Sequence, residues 1–128
     1  MSPHVTRAAK IAREIAKLYP DKYETWFFFT FGPNLRGEKG DGQGGLYKQI
    51  KDQMNEEDRP KFAAHKSVPF CWIESEGGKI KGVGGRDRLC DWVQAQTDLN
   101  QSESIKALVS SEPGVSEAIV DTTPGSAN

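Results

Sequence analysis

Cys71 and Cys90 are the only cysteines in this sequence. A thiol that exchanges disulfides must ionise, which needs an accessible, electropositive setting such as a helix N-terminus. Cys71 alternates with Phe70 and Trp72 in a β-favouring run, and Cys90 falls inside a helical pattern. Both therefore read as buried free thiols, with a Cys71–Cys90 disulfide left open. His4 and His65 are the only histidines. Together with the two thiols they would make a four-ligand zinc set, but no short paired spacing supports one, and no metal is expected. Ser2 precedes Pro3 at a helix start. Its hydroxyl could donate to a ligand, yet Ser followed by Pro is also the favoured pair for a helix cap. Gly84 and Gly85 stand just before Asp87. Backbone amides there can approach a carboxylate while Asp87 receives an amino group. Equally, the glycines can pack closely at a strand-to-helix turn, with Asp87 answering the helix dipole. Arg86 could pair with a ligand carboxylate or with a protein partner.

These groups need elements to hold them. Val5, Ala8, Ile11, Ala12, Ile15, Leu18 and Tyr19 recur at helical spacing, and Pro20 ends the pattern. The run YETWFFFTF, residues 23–31, is aromatic and β-favouring and reads as a largely buried strand. Its aromatic cluster reads as core rather than a base-stacking platform, because no basic residues interleave it. Residues 32–45 hold six glycines and read as a loop, a flexible or partner-ordered insertion. That loop lacks the Gly-Lys-Ser/Thr ending of a phosphate-binding loop and the carboxylates of a calcium loop. Leu46, Tyr47, Ile50 and Met54 mark a second helix ending before Pro60, and RPKFAAHK could add a helical turn. Residues 67–75 form a strand, Glu76-Gly77-Gly78-Lys79 a hairpin turn with glycines at positive φ, and KIKGV the return strand. A helix follows over 86–96, burying Leu89, Trp92 and Val93. Beyond residue 97 the chain is rich in Ser, Gly and Thr. A short helix at SIKALV is one option, but a flexible tail over 98–128 is the expectation.

With 128 residues the chain fits one domain. Its 17 Lys and Arg against 18 Asp and Glu leave a net charge of −1, which argues against a general nucleic-acid or anionic-membrane binder. No apolar run approaches the ~18 residues of a membrane span, and the N-terminus lacks a continuous apolar signal core. Two cysteines are too few for a disulfide-built fold, which points to a reducing, cytoplasmic setting.

The order helix, strand, loop, helix, strand, hairpin, strand, helix carries Val68-Pro69 at a strand mouth and Gly84-Gly85-x-Asp87 after the hairpin. In these features residues 2–96 resemble the glutaredoxin branch of the thioredoxin-like superfamily. The resemblance implies an α/β fold, a mixed sheet flanked by helices, over residues 1–97. It also implies a cis Val68–Pro69 peptide presenting the Val68 backbone to an extended peptide, and a glutathione-like ligand site at Ser2, Val68, Pro69, Gly84, Gly85 and Asp87. Ser2 would there stand where a nucleophilic thiol is found, donating to a glutathione sulfur as in some glutathione transferases. The family opens with a strand and then a Cys-Pro-x-Cys motif. Here the corresponding residues are Ser2-Pro3-His4-Val5, so thiol exchange is not expected, and the first strand has no counterpart before Met1. The same stretch, 67–93, is similar to the glutaredoxin-like leader domain of a malate-dehydrogenase-like protein of ciliated cells. That likeness implies an accessory domain of a ciliary or flagellar assembly. The resulting expectation is a redox-inactive, non-enzymatic subunit that binds protein partners. It would have no obligatory cofactor, glutathione being the ligand that such a site would take.

Overall fold

A computed structural model of the chain describes residues 3–27, 32–75, 77–111 and 125–126. Where one domain is expected, the chain divides into two compact units. One joins Met1–Phe29 to Arg86–Asn128, and the other is Thr30–Gly85.

The first unit is built on helices. Helix α1 spans Pro3–Leu18 and turns Thr6, Ala8, Ala9, Ile11, Ile15 and Ala16 inward. Of the predicted stripe, Ala8, Ile11 and Ile15 are buried, whereas Leu18 is exposed and the buried face is shifted to include Thr6, Ala9 and Ala16. Strand β1, Trp26–Phe27, pairs antiparallel with Gly125–Ser126, with Trp26 opposite Ser126. Residues 28–31, the rest of the aromatic run, lie outside the described residues. Helix α5 spans Arg86–Ala95, and a 3-10 turn follows at Leu99–Gln101. Helix α6, Glu103–Ser110, then packs on α1 and α5.

Over 98–111 the structure takes the helical option at SIKALV rather than the flexible tail, while residues 112–124 and 127–128 lie outside the described residues. Leu99 and Ile105 are fully buried and Val109 nearly so, in one cluster with Ile11, Ile15, Cys90 and Val93. Each such burial contributes roughly 1.5–3 kcal/mol, enough to offset a polar composition. Both ends of α6 are also closed. Ser102 Oγ accepts the Ile105 amide at the N-terminus. At the C-terminus, Arg7 Nη1 donates to the Leu108 and Ser111 carbonyls at 2.7 and 2.6 Å, satisfying acceptors that a helix end leaves without partners. Tyr23 meets Trp92 edge-on at 6.3 Å, and its hydroxyl donates to Asp98, which also pairs with Lys22 at 2.9 Å.

The second unit is built on a hairpin. Strands β2, Cys71–Glu74, and β3, Ile80–Gly84, run antiparallel, with a register irregularity between Cys71 and Trp72. Gly77 and Gly78 turn the chain at φ +86° and +77°, the left-handed backbone expected of them. Helix α3, Leu46–Gln53, reaches the hairpin through Met54, which bridges Ile80 in parallel. Ile50, Met54 and Ile80 form the core there, covered by Phe62, Phe70 and Trp72. Helix α4, Arg59–Phe62, sits beside β3, and Asp58 just before it accepts the buried Gly82 amide.

The glycine-rich segment also differs from its expectation as an open loop. It begins with a short helix α2, Gly32–Arg36, and then closes on itself. The Gly42 amide donates to Arg36 O at 2.9 Å and Gly40 to Gly37 O at 3.0 Å. A Cβ at Gly45 would lie 2.5 Å from Leu35 O, closer than real atoms approach, so glycine is needed where the loop's two stems meet. Among the described residues the architecture is therefore mixed helix and strand, with two separate two-stranded antiparallel sheets, one in each unit, and helices beside them.

Candidate functional site

The turn that enters β2 gathers most of the predicted residues. The Val68–Pro69 peptide is cis. Val68 is 39% exposed, a large share for a branched apolar side chain. Across the hairpin, Cys71 is paired with Gly84. That register carries Gly84 and Gly85 back to the start of β2, and a Cβ on Gly85 would sit 3.8 Å from Pro69 O. The two glycines are not equivalent. Gly84 has φ +121°, which an L side chain rarely adopts, so the backbone itself requires glycine. Gly85 has room for a Cβ at ordinary van der Waals distance, so close packing against described atoms does not account for it.

Asp87 belongs to the other unit, in the first turn of α5. Its carboxylate is exposed and paired with Arg86 Nη2 at 2.7 Å. A ligand amine would have to share it with that guanidinium. Arg86 itself is buried, so the expectation that it offers its charge to a ligand or a partner does not hold. Ser2 lies outside the described residues. The helix it precedes begins with Pro3, exposed His4 and half-buried Val5.

Neither cysteine is in a disulfide. Cys90 is buried in α5, and burial pushes its thiol above the ordinary value, with Arg86 opposing. Cys71 is half-buried in the strand. Neither stands at a helix N-terminus. Among the described residues no group of three or more His, Cys, Asp or Glu could hold a metal ion. No helix there is long and apolar enough to cross a membrane.

The surroundings of the turn are richer than the sequence suggested. Ser67 O accepts from the Tyr47 hydroxyl and faces His65 Nε2 at 3.0 Å. Lys66 O accepts from Arg36 Nε at 2.5 Å. The Lys51 ammonium, buried in α3, donates to His65 O at 2.6 Å and to Ala63 O at 3.1 Å. The His65 ring lies 4.7 Å from Phe70 and 5.8 Å from Tyr47, both edge-on. Burial pushes the Tyr47 phenol up to about 12 and lowers both Lys51 and His65. Three side chains from α2 and α3 thus hold consecutive carbonyls of the segment leading into Val68. A signal for this was present. Lys51 occupies the apolar stripe of α3, four residues after Tyr47 and three before Met54. A cation in such a stripe needs buried acceptors.

Comparison with protein-family models, with curated proteins and with solved structures finds no match to this chain.

Proposed function

We propose that the chain is a redox-inactive domain of the thioredoxin-like, glutaredoxin-like type, acting as a structural or protein-binding subunit of a larger assembly. A ciliary or flagellar setting belongs to this proposal through the weaker likeness. The observation that carries it is the placement of the thiols. Disulfide exchange needs a thiolate, whereas Cys90 is buried with its proton held on and Cys71 sits within a strand. The opening of α1 carries Pro3, His4 and Val5 instead of a thiol. Exposed Val68 at the strand mouth and exposed Trp26 in the other unit are apolar groups that a partner can cover. The test is twofold. The purified chain should not reduce a mixed disulfide of glutathione, and quantitative crosslinking in cells should place a recurrent protein partner on Val68 or Trp26. Turnover of the disulfide, or a chain that stays uncrosslinked and monomeric, would sink the reading.

A second reading is favoured by the hairpin register, which brings Pro69 beside Gly85. In it the turn binds glutathione or a similar extended γ-peptide, with Val68 supplying backbone bonds. Amide shifts at Val68 and Gly85 during an NMR titration with glutathione would support it. No shifts up to millimolar ligand would dispose of it.

A further inference from the structure

We propose that the cavity between the glycine-rich loop, α3 and α4 is a binding site for a phosphate group, as the free ion or the end of a small phosphomonoester. It lies wholly within the hairpin unit. Gln43 lines it from the loop, Lys48, Lys51 and Asp52 from α3, and Arg59 and Ala63 from α4 and its C-cap. The cavity measures about 190 Å³. Sites for whole drug-sized molecules run to roughly 300–1,000 Å³. This one therefore suits an ion or the charged end of a larger ligand.

The charges around the cavity do not cancel. Lys48, Lys51 and Arg59 stand against one carboxylate, Asp52. That carboxylate is taken up by Lys48, whose ammonium lies 2.6 Å away. Lys51 and Arg59 have neutral partners instead. Lys51 Nζ donates to Ala63 O and His65 O and stands 5.6 Å from the centre of the Tyr47 ring. Arg59 Nε donates to Met54 O at 3.0 Å, and its Nη2 to Asp52 O at 2.9 Å. All four acceptors are backbone carbonyls. Among the described residues no carboxylate bonds to either cation.

Lys51 is the decisive group, because it is only 8% exposed. A buried cation is costly without an opposite charge. Burial lowers Lys51 from its ordinary value, and no anion acts to restore it. An ammonium carries three donors. Two go to carbonyls, which leaves one for a ligand in the cavity that Lys51 lines. The loop also lies close over this ammonium. A Cβ on Gly42 would sit 3.3 Å from Lys51 Nζ, at a φ of +84° that favours glycine. The next residue, Gln43, brings a carboxamide with neutral donors to the cavity wall. Asp41 is occupied as the acceptor of the Gln43 amide.

A surplus of two positive charges matches a phosphate dianion better than a carboxylate. Phosphate oxygens also accept from both a point-like ammonium and a planar guanidinium. The site uses neither a thiol nor the Val68 turn, so it stands apart from the function proposed above.

The experiment is an NMR titration of the full chain with sodium phosphate. Sodium chloride at matched ionic strength is the control, because screening acts on any exposed charge. The expected result is saturable shifts, absent with chloride, at the Gln43, Lys48 and Lys51 amides and at Arg59 Nε. A second arm with methyl phosphate separates the two sources. Equal binding assigns a phosphomonoester, and binding of the free ion alone assigns inorganic phosphate. Lys48→Met, on the exposed rim, should weaken binding several-fold, because Asp52 then faces the anion without its partner. Lys106→Met, in the other unit, should leave binding unchanged. Shifts that never saturate, that chloride reproduces, or that persist undiminished in Lys48→Met overturn the proposal.

Discussion

The two units are held together by different physics. In the helical unit, Ile11, Ile15, Val93, Leu99 and Ile105 form an aliphatic cluster with almost no exposure. Such burial is non-directional and proportional to area. In the hairpin unit the core is only Ile50, Met54 and Ile80, with aromatic rings around it. There the order comes from directed hydrogen bonds: Arg36, Tyr47 and Lys51 donate to carbonyls of the segment 63–67, and the Asp58 carboxylate accepts the Gly82 amide. Directional bonds fix a turn's shape at small net stability, since each replaces a bond to water. The lesson is a division of labour. Aliphatic burial gives the first unit stability, and polar fastening gives the second a defined turn at Val68.

The largest effect is expected where the aliphatic cluster is cut. Ile105→Ala should cost about 2–5 kcal/mol, the range for deleting a buried aliphatic side chain. Measured by urea unfolding, it should release α6 and the pairing around Leu99. A loss under 1 kcal/mol would mean that 99–110 contributes little to the core, and the expected flexible tail would be restored.

The hairpin unit should respond to geometry rather than to apolar volume. Gly45 is the N-cap of α3, with an ordinary φ of −112°. Capping preference alone makes Gly45→Ser slightly stabilising, by a few tenths of a kcal/mol. The space does not allow it, because the new Cβ would meet Leu35 O at 2.5 Å and Gly37 N at 2.6 Å. The expected result is a loss of about 1–3 kcal/mol from overpacking. A gain would show that the loop's stems can separate freely. Lys51→Met removes the donor to two carbonyls while keeping a buried stem, and a loss of about 1 kcal/mol is expected from the lost bonds.

Alkaline titration compares the units directly, because each holds one perturbed tyrosine. Burial raises both Tyr23 and Tyr47 to about 12, with Asp98 adding to the effect on Tyr23. A raised phenol means stability that is complete below the ordinary value near 10 and lost as pH rises through the folded one. Phenolate absorbance should therefore show two tyrosines ionising near 12, in step with loss of helical signal. Tyr47→Phe should remove one of those steps and cost about 1 kcal/mol through the lost bond to Ser67 O. Two phenols ionising near 10 would mean that both are open to water.

The parts legible from sequence were those with a strong period or a turn signature. Helices α1, α3 and α5 stand where their apolar stripes lie, and Gly77-Gly78 turns the hairpin as its type requires. What escaped was set by tertiary contact. Composition around 98–111 is polar, and only the packing of Leu99 and Ile105 on α1 and α5, with Arg7 closing the far end, makes a helix there. The six glycines over 32–45 suggested looseness, yet the backbone bonds among Arg36, Gly37, Gly40 and Gly42 tie the loop shut. At the turn, the motif singled out Val68, Pro69, Gly84 and Gly85, and the hairpin register brings these residues to one end of the sheet. Tyr47 was missed because its partner Ser67 lies 20 positions away, and Lys51 because its place in the apolar stripe of α3 does not by itself name an acceptor 14 positions on, at His65.

The smallest effect is expected at Lys48, one turn of α3 before Asp52, and it sharpens the contrast by sharing a helix with Lys51. Lys48 Nζ lies 2.6 Å from Asp52, but both side chains are about half exposed or more. Water competes for each charge, and ordering two long side chains offsets much of the attraction. The order is also the weaker one, because a lysine N-terminal to its acid opposes the helix dipole. Lys48→Met should therefore change stability by no more than about 0.5 kcal/mol, and added salt should erase even that. The same substitution three residues on, at Lys51, removes a donor to two carbonyls rather than an exposed ion pair, so its cost should largely persist at high ionic strength. If Lys48→Met cost as much as Lys51→Met, or if salt abolished both, the hairpin unit would be held by surface charge and not by donors fixed on backbone carbonyls.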